Sequence, residues 1–267
     1  ASFNDTIPAK EVWRVSEDGE LRDPFKKLTT VFQMSEEMFF LHYGKDGCNR
    51  HVLIDECREL FGEIYEQIPE LPFCNIWTAM QLSSRLPKGA LFHMGVSNTR
   101  RCWNMFQLPE SVESACNVGC CGIDGCVSTL VGASLVNPDR LCYVVVGDLT
   151  FFYDLNSLGN HHIGTNLRVM LVNNGRGTEF RLGIHHCNVF GDDADKYMAA
   201  AGHFGNKSPL LVKHYAEDLG FHYLSATTKE EFMTALSNFT NPQLSDHSMI
   251  LEVFTDSKDE SEALYLM

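Results

Sequence analysis

The sequence lacks any hydrophobic run close to the roughly 20 residues that a membrane-spanning helix needs, so no membrane partner is expected. It is poor in positive charge: 21 Lys and Arg stand against 35 Asp and Glu, for a net charge of −14. That balance argues against a nucleic-acid partner held by phosphate neutralisation; the acidity serves solubility. The 10 cysteines show neither a disulfide framework nor the paired C-x2-C spacing of a zinc site. Cys57, Cys74 and Cys142 sit in apolar runs, where cysteine behaves as a small hydrophobe. Cys116, Cys120, Cys121 and Cys126 cluster without metal-site spacing. Free thiols at this density point to a reducing, cytoplasmic setting. No signal-peptide pattern and no Met open the chain, and ASFNDTIPAK reads as the start of an excised piece. Internal repeats are absent, as are the G-x-x-x-x-G-K-S/T of a P-loop and the G-x-G-x-x-G of a dinucleotide fold.

What is present is an ordinary globular composition. The chain has 267 residues, 44% hydrophobic and 21% charged, enough for one large α/β domain or a domain plus a piece of another. Short strands are expected at 12–15, 31–34 and 90–94, with a turn at Ser16-Glu17-Asp18-Gly19. Leu53, Cys57, Leu60, Phe61, Ile64 and Ile68 have helical spacing over 51–68, and Pro69 and Pro72 stop that helix. Further helices are expected over 74–86, 122–136, 193–201, 208–219 and 228–238, with strands at 221–224 and 248–254. Two continuous apolar runs, CYVVVG from Cys142 and LRVMLV from Leu167, are the clearest strands. Alternating strands and helices with continuous apolar strands predict an α/β fold, an open parallel sheet with helices on both faces.

In such a sheet the ligand sits outside the carboxyl ends of the strands. Three strands run into polar, glycine-bearing loops: Gly95–Arg101, Gly147–Thr150 and Asn173–Gly177. A carboxylate at Asp148, a carboxamide at Asn174 and a free backbone carbonyl two residues on are hard oxygen donors. Mg²⁺ takes such donors in an octahedron completed by phosphate oxygens and water. Glycine lets the backbone approach a phosphate closely, and a helix beginning near Phe151 or Phe152 would aim its first N–H groups at the same anion. The residues alone thus suggest a Mg²⁺–diphosphate site, against the plainer alternative that Asp148 and Asn174 only cap and turn the chain.

The Gly147-Asp148 pair and the Asn173-Asn174 pair, with 148 and 174 standing 26 positions apart, resemble the signature of thiamine-diphosphate-dependent enzymes. GDLTFFYDLNSL resembles the GDLS…YDLN-L of the menaquinone-pathway synthases, which join 2-oxoglutarate to isochorismate. GCCGIDGCVST, from Gly119, is similar to their G-A-S-G-I-D-G-x-x-S-T, and GVSNTRR, from Gly95, to their G-N-S-x-P-x-R. The resemblance covers roughly residues 45–255 and implies the thiamine-diphosphate-binding fold, with residues 1–44 as the tail of a central domain or linker and 45–267 as the diphosphate- and Mg²⁺-binding domain. It implies that Asp148, Asn174 and the carbonyl of Arg176 hold Mg²⁺. Gly147, Leu149, Thr150 and Asn173 would adjoin the diphosphate, with Ser97 and Phe180 near the cofactor. Ile123 would prop thiamine diphosphate into the bent shape that brings its reacting groups together, and Arg101 would meet a substrate carboxylate.

Two positions depart from that pattern. The family's second clamp arginine is replaced by Val118, and an apolar position is Glu179. Losing a cation and gaining an anion disfavours a multiply acidic substrate pair. His161-His162 reads as a solvated loop; His185-His186 follows the paired asparagines, where the family places lids. The family's catalytic glutamate comes from a separate pyrimidine-binding domain that does not fit before residue 45. The expected function is therefore the cofactor-binding domain of a 2-oxo-acid decarboxylating carboligase, inactive alone, whose partners are a 2-oxo acid, an acceptor, the pyrimidine-binding domain and further copies in a homodimer or homotetramer. An acetolactate-synthase-like or pyruvate-decarboxylase-like domain, or a non-catalytic relic of the fold, is the alternative.

Overall fold

The computed structural model describes residues 9–44, 52–119, 122–183, 185–197 and 208–267. The chain separates into two compact units, residues 1–67 and 68–267. The expected division after residue 44 lies inside the first of these, and residues 45–51 around it lie outside the described residues.

In the first unit two short strands, β1 (Val12–Val15) and β2 (Leu28–Phe32), pair in parallel. The expected turn between them is made at Gly19, whose φ of 62° suits a residue without a Cβ. Ser35 caps helix α1 (Glu36–Tyr43) by accepting from the Met38 N–H at 3.3 Å. Its ring-bearing residues gather against β2: Phe32 lies 5.0 Å from Phe39, and Phe39 lies 4.8 Å from Tyr43. Helix α2 (Val52–Glu66) follows, close to the span that the spacing predicts.

The second unit is built on the two apolar runs. In chain order it holds α3 (Asn75–Ser83), β3 (Leu91–Met94), α4 (Asn98–Trp103), β4 (Glu113–Cys116), α5 (Cys126–Val136), β5 (Cys142–Gly147), α6 (Asp148–Tyr153) and β6 (Leu167–Asn173). Then come α7 (Ala194–Tyr197), α8 (Leu211–Asp218), β7 (His222–Ala226), α9 (Lys229–Phe239), β8 (Met249–Phe254) and α10 (Ser257–Leu266). The sheet order is β4-β3-β5-β6-β8-β7 and every pairing is parallel. Side chains alternate across the sheet. Tyr143 and Val145 of β5, with Met170 and Val172 of β6, meet Trp77, Trp103, Phe232 and Phe239 on one face. Val144 and Val146, with Val169 and Leu171, meet Val127, Leu130, Phe151 and Val212 on the other. Both faces are covered, which is why β5 and β6 are mostly apolar, with Arg168 near the start of β6 and Asn173 at its end as the exceptions. The open parallel α/β sheet of the thiamine-diphosphate-binding fold, expected from the sequence, is present.

Four elements were not expected. The edge strand β4, Glu-Ser-Ala-Cys, is polar; α1 and α10 carry weak apolar periodicity; and α4 begins inside the stretch read as a loop over 95–101. The helix expected over 193–201 is seen as α7, with residues 198–207 outside the described residues. Cys120 and Cys121, in the Gly119–Thr129 motif, also lie outside them.

Candidate active site

The carboxyl ends of β3, β5 and β6 surround a cavity of about 380 Å³. At β3 the chain can hug β5 because residue 95 is glycine: a Cβ there would stand 3.3 Å from the Val145 carbonyl oxygen and from Val146 Cα. Ser97 then takes an unusual φ of 62° and the chain enters α4. At β5, helix α6 begins on Asp148 itself, three residues earlier than the sequence suggests, because Gly147 already stands in the extended N-cap conformation. Asp148 is buried, and its Oδ1 accepts from the Leu149 N–H at 2.9 Å.

At β6, Gly175 (φ 81°) reverses the chain, and Asn174 Oδ1 accepts from the Arg176 N–H at 3.4 Å. The strand pleat turns Asn173 the other way. Its Nδ2 donates to Glu252 Oε1 of β8 at 2.7 Å, and the Tyr223 hydroxyl of β7 donates to Glu252 Oε2 at 2.7 Å. Both oxygens of this buried carboxylate are thus bonded. Burial pushes its pKa up, and the two donors hold it down.

The loop before α5 closes the cavity from another side. Asn117 Nδ2 donates to the Gly125 carbonyl at 3.2 Å, and Asp154, after α6, accepts from the Ser128 N–H at 2.6 Å. These bonds tie the Ile123 loop to the Asp148 helix.

Ser97, Ile123, Gly147, Asp148, Leu149, Thr150, Asn174, Arg176 and Phe180 all line the cavity. Arg101 and Asn173 do not. The Arg101 guanidinium is taken by Glu179: Nη1 donates to Oε2 at 2.8 Å and Nη2 to Oε1 at 2.9 Å. The carboxylate raises the arginine's pKa further. Phe180 meets the His185 ring edge-on at 5.3 Å, so the first of these two histidines does reach the cavity wall. His161 and His162 are exposed in the turn before β6, as a solvated loop requires.

Sequence reasoning missed Asn75, Asn98 and Thr178 in the lining. Asn75 opens α3. Its N–H donates to Glu260 Oε1 of α10 at 2.9 Å, and its side-chain oxygen accepts from Trp103 Nε1 at 3.2 Å. Burial pushes the Glu260 carboxyl up to about 7, against the Asn75 N–H and the Thr255 hydroxyl, which pull it down. The only hint was an asparagine after Cys74 at the head of an apolar helix. Thr178 Oγ1 is buried at the wall with no hydrogen-bond partner among the described residues. A group entering the cavity could satisfy it.

Among the described residues no three His, Cys, Asp or Glu side chains gather as a metal site. A cation at the strand tips would meet one carboxylate, Asp148, with amide and carbonyl oxygens. Those are hard donors suited to Mg²⁺ and leave positions for a ligand's own oxygens. No described helix is long and apolar enough to cross a membrane.

No protein-family profile matches the chain. Curated relatives do. The 2-succinyl-5-enolpyruvyl-6-hydroxy-3-cyclohexene-1-carboxylate synthase of Bacteroides fragilis is 33% identical over 263 residues, which cover 96% of this chain and 45% of that protein. The chain is a relative of these synthases. The synthase of the same name from Phocaeicola vulgatus is 32% identical over 265 residues, 96% of this chain and 44% of its own. That of Christiangramia forsetii is 33% identical over 199 residues, 74% and 33% respectively. The chain therefore spans less than half the length of the curated synthases it matches.

Proposed function

We propose that the chain is the Mg²⁺- and thiamine-diphosphate-binding part of a 2-oxo-acid decarboxylating carboligase of the synthase type, which joins a 2-oxo acid to an acceptor. One observation carries the reading: the Asp148 carboxylate shares a cavity with Asn174 and Arg176, with Gly147, Leu149 and Thr150 beside it and Ile123 on another wall. That donor set fits a hard cation bridging to phosphate.

Thiamine diphosphate, when bound, supplies a thiazolium that accepts the electrons left by decarboxylation. The chain's residues do the rest. The Asp148 carboxylate, the Asn174 amide oxygen and the Arg176 carbonyl would hold Mg²⁺. The Thr150 hydroxyl would hold the diphosphate, joined by the Leu149 N–H if it turns from Asp148 Oδ1 to the anion, with Asn173 acting from behind through Glu252. Ile123 would fix the cofactor's bend, and Ser97 and Phe180 would line its remaining surface. In this reading residues 1–44 are the tail of a central domain and 45–267 the cofactor domain. A pyrimidine-binding domain of a longer protein supplies the proton-moving carboxylate, in keeping with the chain's share of its relatives' length. A homodimer or homotetramer, in a reducing cytoplasm suited to the free, buried Cys74, Cys102, Cys126 and Cys142, completes it.

Asp148→Ala tests the reading. Calorimetric titration of thiamine diphosphate in Mg²⁺ should lose at least about tenfold in affinity, a change of about 1.4 kcal/mol. Wild-type affinity in the variant would remove Asp148 from the metal site.

A further inference from the structure

Glu179 and Arg101 lie 78 residues apart in sequence and meet fork to fork, through two bonds of 2.8 and 2.9 Å. This arrangement commits both carboxylate oxygens and both terminal guanidinium nitrogens to one another. The side chains are 16% and 39% exposed, so the pair is part-shielded from water and holds better than an ion pair out in solvent. Glu179 is part of the cavity lining and Arg101, its partner, is not. The other charged side chains of the described lining are Asp148, already committed to the strand-tip site, and Arg176. Phe180 and Val172 give the lining apolar surface, and the Thr178 hydroxyl gives it an uncharged polar one.

We propose that Glu179 is the specificity-determining residue of this site: it keeps the Arg101 fork for itself, so that the site selects a 2-oxo acid with an uncharged side chain over one carrying a second carboxylate. The proposal rests on the thiamine-diphosphate reading above and names its substrate class. A second carboxylate reaching this wall meets the like charge of Glu179 first. It reaches Arg101 only by displacing a tethered partner whose effective concentration is on the order of millimolar or higher. An uncharged side chain meets neither obstacle and rests on Phe180.

The test compares the wild-type chain with Glu179→Leu and Glu179→Gln, all labelled with nitrogen-15. The Arg101 Nε–H resonance is followed as glutarate is added, with and without Mg²⁺ and thiamine diphosphate. Glutarate should bind at Arg101 about ten- to a hundredfold more tightly in Glu179→Leu than in wild type, the range of a charge-assisted hydrogen-bonded pair. Glu179→Gln, which keeps a neutral acceptor on the fork, should fall between and decides the matter if the leucine variant does not fold. In the full-length holoenzyme the preference for 2-oxobutyrate over 2-oxoglutarate, as a ratio of kcat/KM, should fall by a similar factor in Glu179→Leu. Equal glutarate affinity at Arg101 in all three chains, or a wild-type holoenzyme that prefers 2-oxoglutarate, overturns the proposal. Absence of Mg²⁺-dependent cofactor binding in wild type overturns the cofactor reading instead, and the Arg101 comparison made without cofactor still decides this one.

Discussion

Ile123 is a single aliphatic side chain on a loop, and its proposed work is geometric. An apolar prop under a bent cofactor aligns groups that react without adding much binding energy. Ile123→Ala should therefore lower turnover far more than cofactor affinity. Proton NMR of C2–H exchange in the full-length holoenzyme is the measurement, and a wild-type exchange rate would remove the role. Glu260 is a residue-scale case of a different kind. Its carboxyl titrates at about 7 in the fold, against an ordinary 4.5, chiefly because burial penalises its charge. The folded chain therefore holds a proton that the unfolded chain releases, and stability falls as pH rises from about 4.5 to about 7. Glu260→Gln should flatten that part of the profile, as read by melting temperature between pH 5 and pH 8. Glu252, raised in the same direction, keeps some slope in the variant.

At the scale of elements, the tip of β6 depends on β8 and β7. Glu252 holds Asn173 and Tyr223 at once, across three strands. Glu252→Ala leaves the buried Asn173 amide without an acceptor, at roughly 1–3 kcal/mol, and the half-buried Tyr223 hydroxyl at less. Thermal unfolding should show a fall of that order, and Tyr223→Phe a smaller one. Loosening of Asn173 should also weaken Mg²⁺-dependent cofactor binding, since Asn174 is its neighbour. None of this was readable from the sequence. The runs of β5 and β6 were legible because burial on both faces removes polar residues from the strand, and the strand tips were legible because glycine and hard oxygen donors interrupt those runs abruptly. Asn173 was expected to adjoin the diphosphate, yet the pleat sends its side chain away from that of Asn174 and onto Glu252. The Arg101–Glu179 pair joins positions 78 apart, and local periodicity carries no information about such a contact. β4 escaped because an edge strand need not be apolar, and α4 because Gly-Val-Ser-Asn reads as a turn until the φ of Ser97 is known.

For the whole molecule, the proposed assignment predicts a division of labour. The 267-residue chain, given Mg²⁺, thiamine diphosphate and a panel of 2-oxo acids, should release no carbon dioxide above background. Steady turnover would mean that the proton-moving carboxylate lies within this chain, and the domain assignment would fall.

The sheet order β4-β3-β5-β6-β8-β7 also bears on how the molecule is made. Asn173 and the Glu252 that supports it are separated by 79 residues, so β6 leaves the ribosome long before its neighbour β8 exists. Through that interval one long edge of β6 is bare, a row of unpaired amides on a strand whose seven positions are all buried at the end. Non-local parallel pairings of this kind form slowly, and a half-made sheet invites a second chain to take the empty place. Refolding yield should fall steeply as protein concentration rises, and a soluble peptide spanning 249–254, added during refolding, should compete for the vacant edge and lower it further.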